Sequence, residues 1–212
     1  MLSAAYELFC VGGYVGTTMT AIAERAGVAV QTLYFTFNTK SAILKEALGA
    51  AVVGFEHWDP RVEDTVSKGA PRAMLELHPW YAAFREAPTA ATALAVFVDA
   101  SLPILERVGP LVVAMTAAAG ADPDVMTTAE VGERRRIDGY AFVVEELAKR
   151  EGWRRGMSAQ RATDIMLTIL SAETHTFLTS RRGWSQDACR EWFLDVLCQQ
   201  LFESPSAPKR SG

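Results

Sequence analysis

Residues 17–40 read TTMTAIAERAGVAVQTLYFTFNTK, and this stretch decides the fold. Thr18 can cap a helix that opens at Met19, because its hydroxyl can accept a free backbone N–H. Met19, Ile22, Ala23 and Ala26 recur at helical spacing and face a core. Gly27 ends this helix, since glycine takes the left-handed conformation without a side-chain clash. Val28 anchors the turn. A second short helix runs from Val30 through Phe35, held to the first by Leu33 and Phe37. Ala29 precedes it and cannot cap it through a side chain. Gln31, Thr32, Tyr34 and Thr36 carry groups that can bond base edges or phosphate oxygens. Two helices joined by a short glycine-bearing turn form the helix-turn-helix layout, whose second helix enters a DNA groove. Ordinary bundles also contain such pairs, so spacing alone leaves both uses open.

Outward from this stretch the chain reads as helices throughout. Residues 41–54 form the next helix. Residues 55–78 contain Pro60, Gly69 and Pro71 and few periodic apolar positions, which reads as an irregular, mobile connection. Pro79 opens a short helix through Ala87. The next runs from Thr89 to Arg107, with Leu94, Phe97, Val98 and Leu102 on one face, and Pro103 kinks or shortens it. Gly109-Pro110 marks a break before Leu111–Ala119. A long helix spans Asp124–Arg150, with Ile137, Tyr140, Ala141, Val144 and Leu147 inward. Ser158 caps a helix to about Arg181, and Ser185 caps the last one to about Phe202. The tail, residues 204–212, is polar and proline-bearing and reads as disordered. The fold class is all-α, divided as a head over 1–48, a body over 49–203 and the tail.

Composition narrows the function classes. The 212 residues are half hydrophobic, enough for one small and one larger core. No apolar run is long enough to span a membrane. Cys10, Cys189 and Cys198 have no metal-ligand spacing and read as reduced thiols of a cytosolic protein, so no cofactor or metal is expected. His57, His78 and His175 lie far apart with no nucleophile signature around them, which argues against an enzyme. The chain carries 21 Lys plus Arg against 25 Asp plus Glu. Within residues 1–50, Arg25, Lys40 and Lys45 are offset by Glu7, Glu24 and Glu46. A head without net positive charge releases few counterions and should hold random DNA weakly.

The wording of the head goes further than its spacing. AERAGV, then TLYxxF, Asn-Thr-Lys and a helix reading SAILKEAL resemble the TetR family of transcriptional regulators. Upstream, AAYELFxxxGYxxTTMxxIAERAGV continues the likeness through Ala4, Leu8, Phe9, Gly13, Tyr14 and Thr18. The C-terminal segment from Arg181, RRGWSQDACREWFLDVLCQQLF, also looks like the end of many members. The resemblance implies an N-terminal three-helix DNA-binding head and a larger helical body that binds a ligand and dimerises. It implies a bacterial cytoplasmic, nucleoid-associated homodimer on a palindromic operator of double-stranded DNA, released by a small-molecule effector. Repression is the usual sense in the family; activation stays open.

Residue by residue, the resemblance implies phosphate contact for Thr18 and Thr20. It places Val30, Gln31 and Thr32 against base edges, Tyr34 and Thr36 against the backbone, and the ammonium of Lys40 near a phosphate. The family often has Ser-Lys where this chain has Ala29-Val30, and glycine where it has Gln31. Gln31 can bond adenine bidentately and Val30 can touch a thymine methyl, which weights the readout toward A·T pairs. The chain opens inside the first helix, so the basic segment that often precedes it is either lacking or lies outside this sequence.

Two apolar stripes near the C-terminus exceed one contact face. Ala162, Ile165, Met166, Ile169, Leu170 and Phe177 form one; Cys189, Trp192, Phe193, Val196, Leu197 and Leu201 form the other. Both could be core. The resemblance implies instead a four-helix bundle between two copies, with Ile165, Ile169, Phe177, Trp192, Phe193 and Val196 at the seam. Candidate walls of an effector cavity are Trp80, Phe84, Phe97, Met115, Tyr140 and Met166, whose rings and thioethers suit an apolar or flat ligand. Each also fits plain core. Glu173 and His175 either supply polar contacts there or form a capped, hydrogen-bonded pair near a surface or at the dimer seam.

Overall fold

The structure is a computed structural model that describes residues 1–59 and 78–203. Most of the expected 55–78 connection and the whole 204–212 tail therefore lie outside the described residues. Those described are helical, with one isolated antiparallel bridge, Trp153 to Phe202, and no named strand. The helices are α1 (Leu2–Gly16), α2 (Met19–Ala26), α3 (Val30–Phe37), α4 (Lys40–Val53), α5 (Trp80–Glu86), α6 (Ala90–Ala118), α7 (Pro123–Ala148), α8 (Ala159–Ile169), α9 (Ala172–Thr176) and α10 (Gln186–Leu201). Contacts group them into two compact units. The first is Met1–Lys68 with Ile104–Arg134; the second is Gly69–Pro103 with Arg135–Gly212.

The first unit is built on one apolar cluster. Ala5 and Phe9 of α1, Ile22 of α2, Leu33 of α3, and Ile43 and Leu44 of α4 are fully buried in it. Leu111, Met115 and Val125 complete it from the later segment. Gly13 takes φ 69° and kinks α1, which turns Tyr14 inward. The buried Thr17 hydroxyl lies 2.7 Å from the Gly13 carbonyl and 3.2 Å from that of Leu8, and so donates to the backbone that the kink exposes. Thr18 accepts from the Ala21 N–H at 3.1 Å, and Gly27 closes α2 at φ 67°. Thr39 caps α4 by accepting from the Ala42 N–H at 3.1 Å.

Segment 104–134 is joined to the head by polar ties. The Tyr14 hydroxyl donates to Asp122 Oδ2 at 2.7 Å, while Asp122 Oδ1 accepts from the amides of Asp124 and Val125 and so caps α7. Ser41 donates to Asp124 Oδ2 at 3.1 Å. Arg107 Nε donates to the Ala51 carbonyl at 2.7 Å near the end of α4, and Tyr6 donates to the Arg107 carbonyl at 2.9 Å. The Tyr14 hydroxyl holds the Asp122 carboxyl below the usual carboxylate range, helped by the capped amides. Burial pushes the Tyr6 phenol up to about 12.

A carboxylate with a lowered native pKa stabilises the fold above its unfolded value, and loses that contribution as pH falls through the native one. Tyr14→Phe should therefore flatten the fall of stability below pH ~4. Urea unfolding between about pH 3 and 6 would read this as parallel curves above pH ~4 and converging ones below it.

The second unit satisfies its helix ends with arginines. Arg150 donates to the carbonyls of Phe84 (3.0 Å), Arg85 (3.4 Å) and Ala87 (3.4 Å), and its guanidinium lies 4.9 Å from the Phe84 ring centroid, so it caps α5. Arg154 donates to the carbonyls of Phe202 and Gln199 at the end of α10. Arg190 grips Asp99 with two bonds, 2.5 and 3.0 Å.

Three sequence expectations need correction. Helix α6 does not break at Pro103 or at Gly109-Pro110; it runs unbroken over Ala90–Ala118. Each proline removes one helical hydrogen bond. The carbonyls left without donors belong to Asp99 and Glu106, which are exposed residues, so water can take them. Leu94, Phe97, Val98, Leu102, Leu105, Leu111 and Met115 stay buried, and each contributes about 1.5–3 kcal/mol. Ile137, expected inward on α7, is 40% exposed, whereas Val144 and Leu147 are fully buried. The helix expected over 158–181 ends at Ile169, with Leu170 as its C-cap. Ser171 recaps the chain by accepting from the Thr174 N–H at 3.1 Å, the Tyr140 hydroxyl takes the Leu170 carbonyl at 2.7 Å, and Phe177–Arg181 forms a π-helical turn. A serine that can cap competes with the backbone ladder, and here it wins.

Candidate nucleic-acid interface and effector-binding body

The reading surface follows from one buried residue. Leu33 is fully buried and fixes which side of α3 faces the cluster. Gln31, Thr32, Tyr34, Phe35 and Thr36 are exposed as a consequence. Ala29 supplies no side-chain cap, so the first amides of α3 keep no side-chain partner and suit an anion. The face holds amide, hydroxyl and aromatic groups and neither a carboxylate nor a cation.

The expected contact residues occupy different positions. Gln31, Thr32 and Tyr34 point to solvent, Tyr34 with 51% exposure. Thr18 and Thr20 are exposed at the start of α2. Thr18 accepts a bond in its cap, which leaves its hydroxyl proton for a phosphate. Thr36 instead donates its proton to the Thr32 carbonyl at 2.8 Å. Val30 is half-buried and packs against the core cluster. Lys40 turns inward: its ammonium donates to the carbonyls of Tyr14 (2.7 Å) and Thr17 (2.9 Å) and lies 4.2 Å from the Tyr14 ring centroid. Burial lowers its pKa, against the pull of Asp122. Arg25 is paired with Glu7. Two of the three cations within residues 1–50 are thus engaged within the head.

The candidate wall residues do not form one set. Trp80, Phe84, Phe97 and Tyr140 pack edge to face in the second unit. Trp80 lies 5.8 Å from Phe84 and 5.5 Å from Phe97, and Phe97 lies 5.4 Å from Tyr140, between ring centroids. Sequence reasoning missed Tyr81, whose ring lies 6.3 Å from both Phe84 and Phe142. The Trp80 indole nitrogen is buried without a hydrogen-bond partner among the described residues. Met166 is fully buried in the same unit. Met115 belongs elsewhere, in the core cluster of the first unit. Glu173 is exposed, whereas His175 is buried and its Nε2 pairs with Gln186 Oε1 at 2.9 Å. The histidine has its partner on α10 and not in Glu173.

Of the expected seam, Phe177 is half exposed, and Ile165, Ile169, Trp192 and Val196 are half-buried. Phe193 is fully buried within its own chain. It is core, and presents no surface to a partner.

Comparison with known proteins places this geometry. No curated protein matches the chain. Among solved structures, FadR from Bacillus subtilis, in complex with stearoyl-CoA, is 16% identical, with 93% of this chain and 95% of that one covered and a TM-score of 0.67. NalD, the secondary repressor of the MexAB-OprM multidrug efflux pump in Pseudomonas aeruginosa, is 17% identical, with 95% and 93% covered and a TM-score of 0.61. A protein from Saccharomonospora viridis, in complex with choline, is 19% identical, with 96% of each chain covered and a TM-score of 0.67. At these identities the likeness shows a shared all-α fold. Residues 1–47 match the profile of the bacterial regulatory proteins of the tetR family. The exposed reading helix and its buried leucine anchor lie inside this matched segment, so residues 1–47 are similar to the N-terminal region of these regulatory proteins.

Proposed function

We propose that the chain is a ligand-responsive repressor that binds a palindromic operator as a homodimer and is released by a small, largely apolar or aromatic effector. The row Gln31, Thr32, Tyr34 on the solvent side of α3, set by buried Leu33, carries this reading. Two copies would pair through α8, α10 and the π-helical turn between them, where Ile165, Ile169, Phe177, Trp192 and Val196 leave apolar surface. The twofold axis would set two reading helices on one duplex. Its expected setting is the bacterial cytoplasm, where the operator lies. No helix among the described residues is long and apolar enough to cross a membrane.

The ring cluster at Trp80, Phe97 and Tyr140 supports the effector class. An unpartnered buried indole N–H there favours a ligand with one acceptor atom on an apolar frame. Solved structures of this fold hold molecules as different as choline and stearoyl-CoA, so the lining residues, not the fold, choose the ligand. The effector acts by favouring a dimer whose heads are misplaced for DNA, through about 1–3 kcal/mol of coupling. Catalysis has no part in this reading.

Binding to the DNA upstream of its own gene, followed by fluorescence anisotropy over a salt series, tests it. The expected result is a salt-dependent, sequence-selective complex of two chains per duplex. A chain that stays monomeric and ignores every duplex would instead be a helical interaction protein. Tyr34→Ala should weaken all duplexes alike, by about fivefold to tenfold for one lost backbone hydrogen bond. Gln31→Ala should shift sequence preference by up to about 3 kcal/mol at one base pair, with less effect on overall grip.

A further inference from the structure

We propose that Phe35 reads the 5-methyl group of a thymine in the major groove, the task that Val30 cannot perform. The inference rests on the reading of α3 as the helix that enters DNA. Phe35 is 91% exposed and makes no ring contact among the described residues. A single exposed apolar side chain needs no explanation; its position on this helix does. It follows Leu33 by two residues, which is about 200° around a helix of 3.6 residues per turn. Leu33 is fully buried, so Phe35 occupies the middle of the outward face. Exposed Gln31 lies one turn before it, with exposed Thr32 and Thr36 beside it.

The chemistry of the ring then selects the target. A phenyl group has no hydroxyl and cannot hold a phosphate by a hydrogen bond, so the backbone offers it little. In the major groove the thymine methyl is the distinctive apolar feature that the base pairs present. Val30, the other apolar residue at the start of α3, is half-buried against Leu33's cluster and is committed to packing. Gln31, one turn away, can bond an adenine at an adjacent step. Together they would make an A·T-weighted pair of contacts carrying no charge.

The test uses the full chain and an operator selected by the protein from a random-sequence duplex library. Deoxyuridine then replaces each thymine singly, and affinity is read by anisotropy for wild type, Phe35→Ala and Val30→Ala. One thymine per half-site should cost wild type about fourfold when its methyl is removed, the equivalent of ~0.8 kcal/mol. Removal in both half-sites should cost about fifteenfold on the same scale. Phe35→Ala should bind the thymine duplex more weakly and show no further loss with uracil, whereas Val30→Ala should keep the uracil penalty. An unchanged thermal midpoint for Phe35→Ala establishes that the head is folded. Equal uracil penalties in wild type and Phe35→Ala, or none in wild type, overturn the proposal while leaving operator binding intact. Failure to select any duplex overturns the operator reading and this proposal together.

Discussion

Phe9→Ala is expected to abolish operator binding by unfolding the head. Phe9 is fully buried and sits one turn after Ala5 on α1, with its ring centroid 5.7 Å from that of Tyr14. It touches no surface that could meet DNA. Removing the ring leaves a cavity between α1 and the helices it supports, at a cost of about 3–5 kcal/mol. A domain of this size holds about 5–15 kcal/mol in all, so the loss is a large share of the total. Leu33 shares the same cluster, and α3 loses its orientation when the cluster loosens. Phe9→Leu should restore most of the binding, because it retains most of the volume and costs about 1.5 kcal/mol or less. Thermal unfolding by circular dichroism and anisotropy on one sample would measure both effects. Full affinity in Phe9→Ala with unchanged unfolding would show that the head does not depend on this core.

Lys40→Ala is expected to lower stability as well as affinity, and the pairing of the two effects is the informative part. A lysine used only against phosphate would leave the unfolding midpoint unmoved. Here the ammonium donates to the Tyr14 and Thr17 carbonyls, where α1 hands over to α2. Hydrogen bonds from a charged donor contribute about 1.5–3 kcal/mol each. Lys40 is only half-buried, so water screens them and about 2 kcal/mol in total is the expected loss. The midpoint should fall by about 4–8 °C for a chain of this size. Lys40→Met should fall nearly as far, since it keeps the stem and loses the donors. An affinity loss in Lys40→Ala at constant midpoint would return this residue to the DNA surface.

These predictions show where sequence reasoning reached and where it stopped. The caps at Thr18, Ser158 and Ser185 and the glycine stop at Gly27 were legible because they are local. A hydroxyl bonds an amide three residues on, or a glycine takes a positive φ, whatever surrounds it. The unbroken α6 was not legible. Proline argues locally for a break, while the burial that outweighs it comes from residues far along the chain. The inward turn of Lys40 was not legible for the same reason: its partners are 26 and 23 positions away. The aromatic candidates of the body were legible one by one, but not their grouping. Helical spacing cannot say that Trp80, Phe97 and Tyr140 meet, nor that Met115 belongs to another core.

The amino-acid sequence by itself determined the helical class, the capped helix-turn-helix of residues 18–37 and the family of the head. All three depend on short-range backbone chemistry and on periodicity, which a linear chain carries in full. Only the tertiary structure decided which groups are left for a partner. It turned Val30 and Lys40 inward, spent the Thr36 proton on its own helix and left Phe35 at the centre of the open face. A side chain bonds whatever the fold brings within about 3 Å, and long-range packing, not position along the chain, sets that neighbourhood.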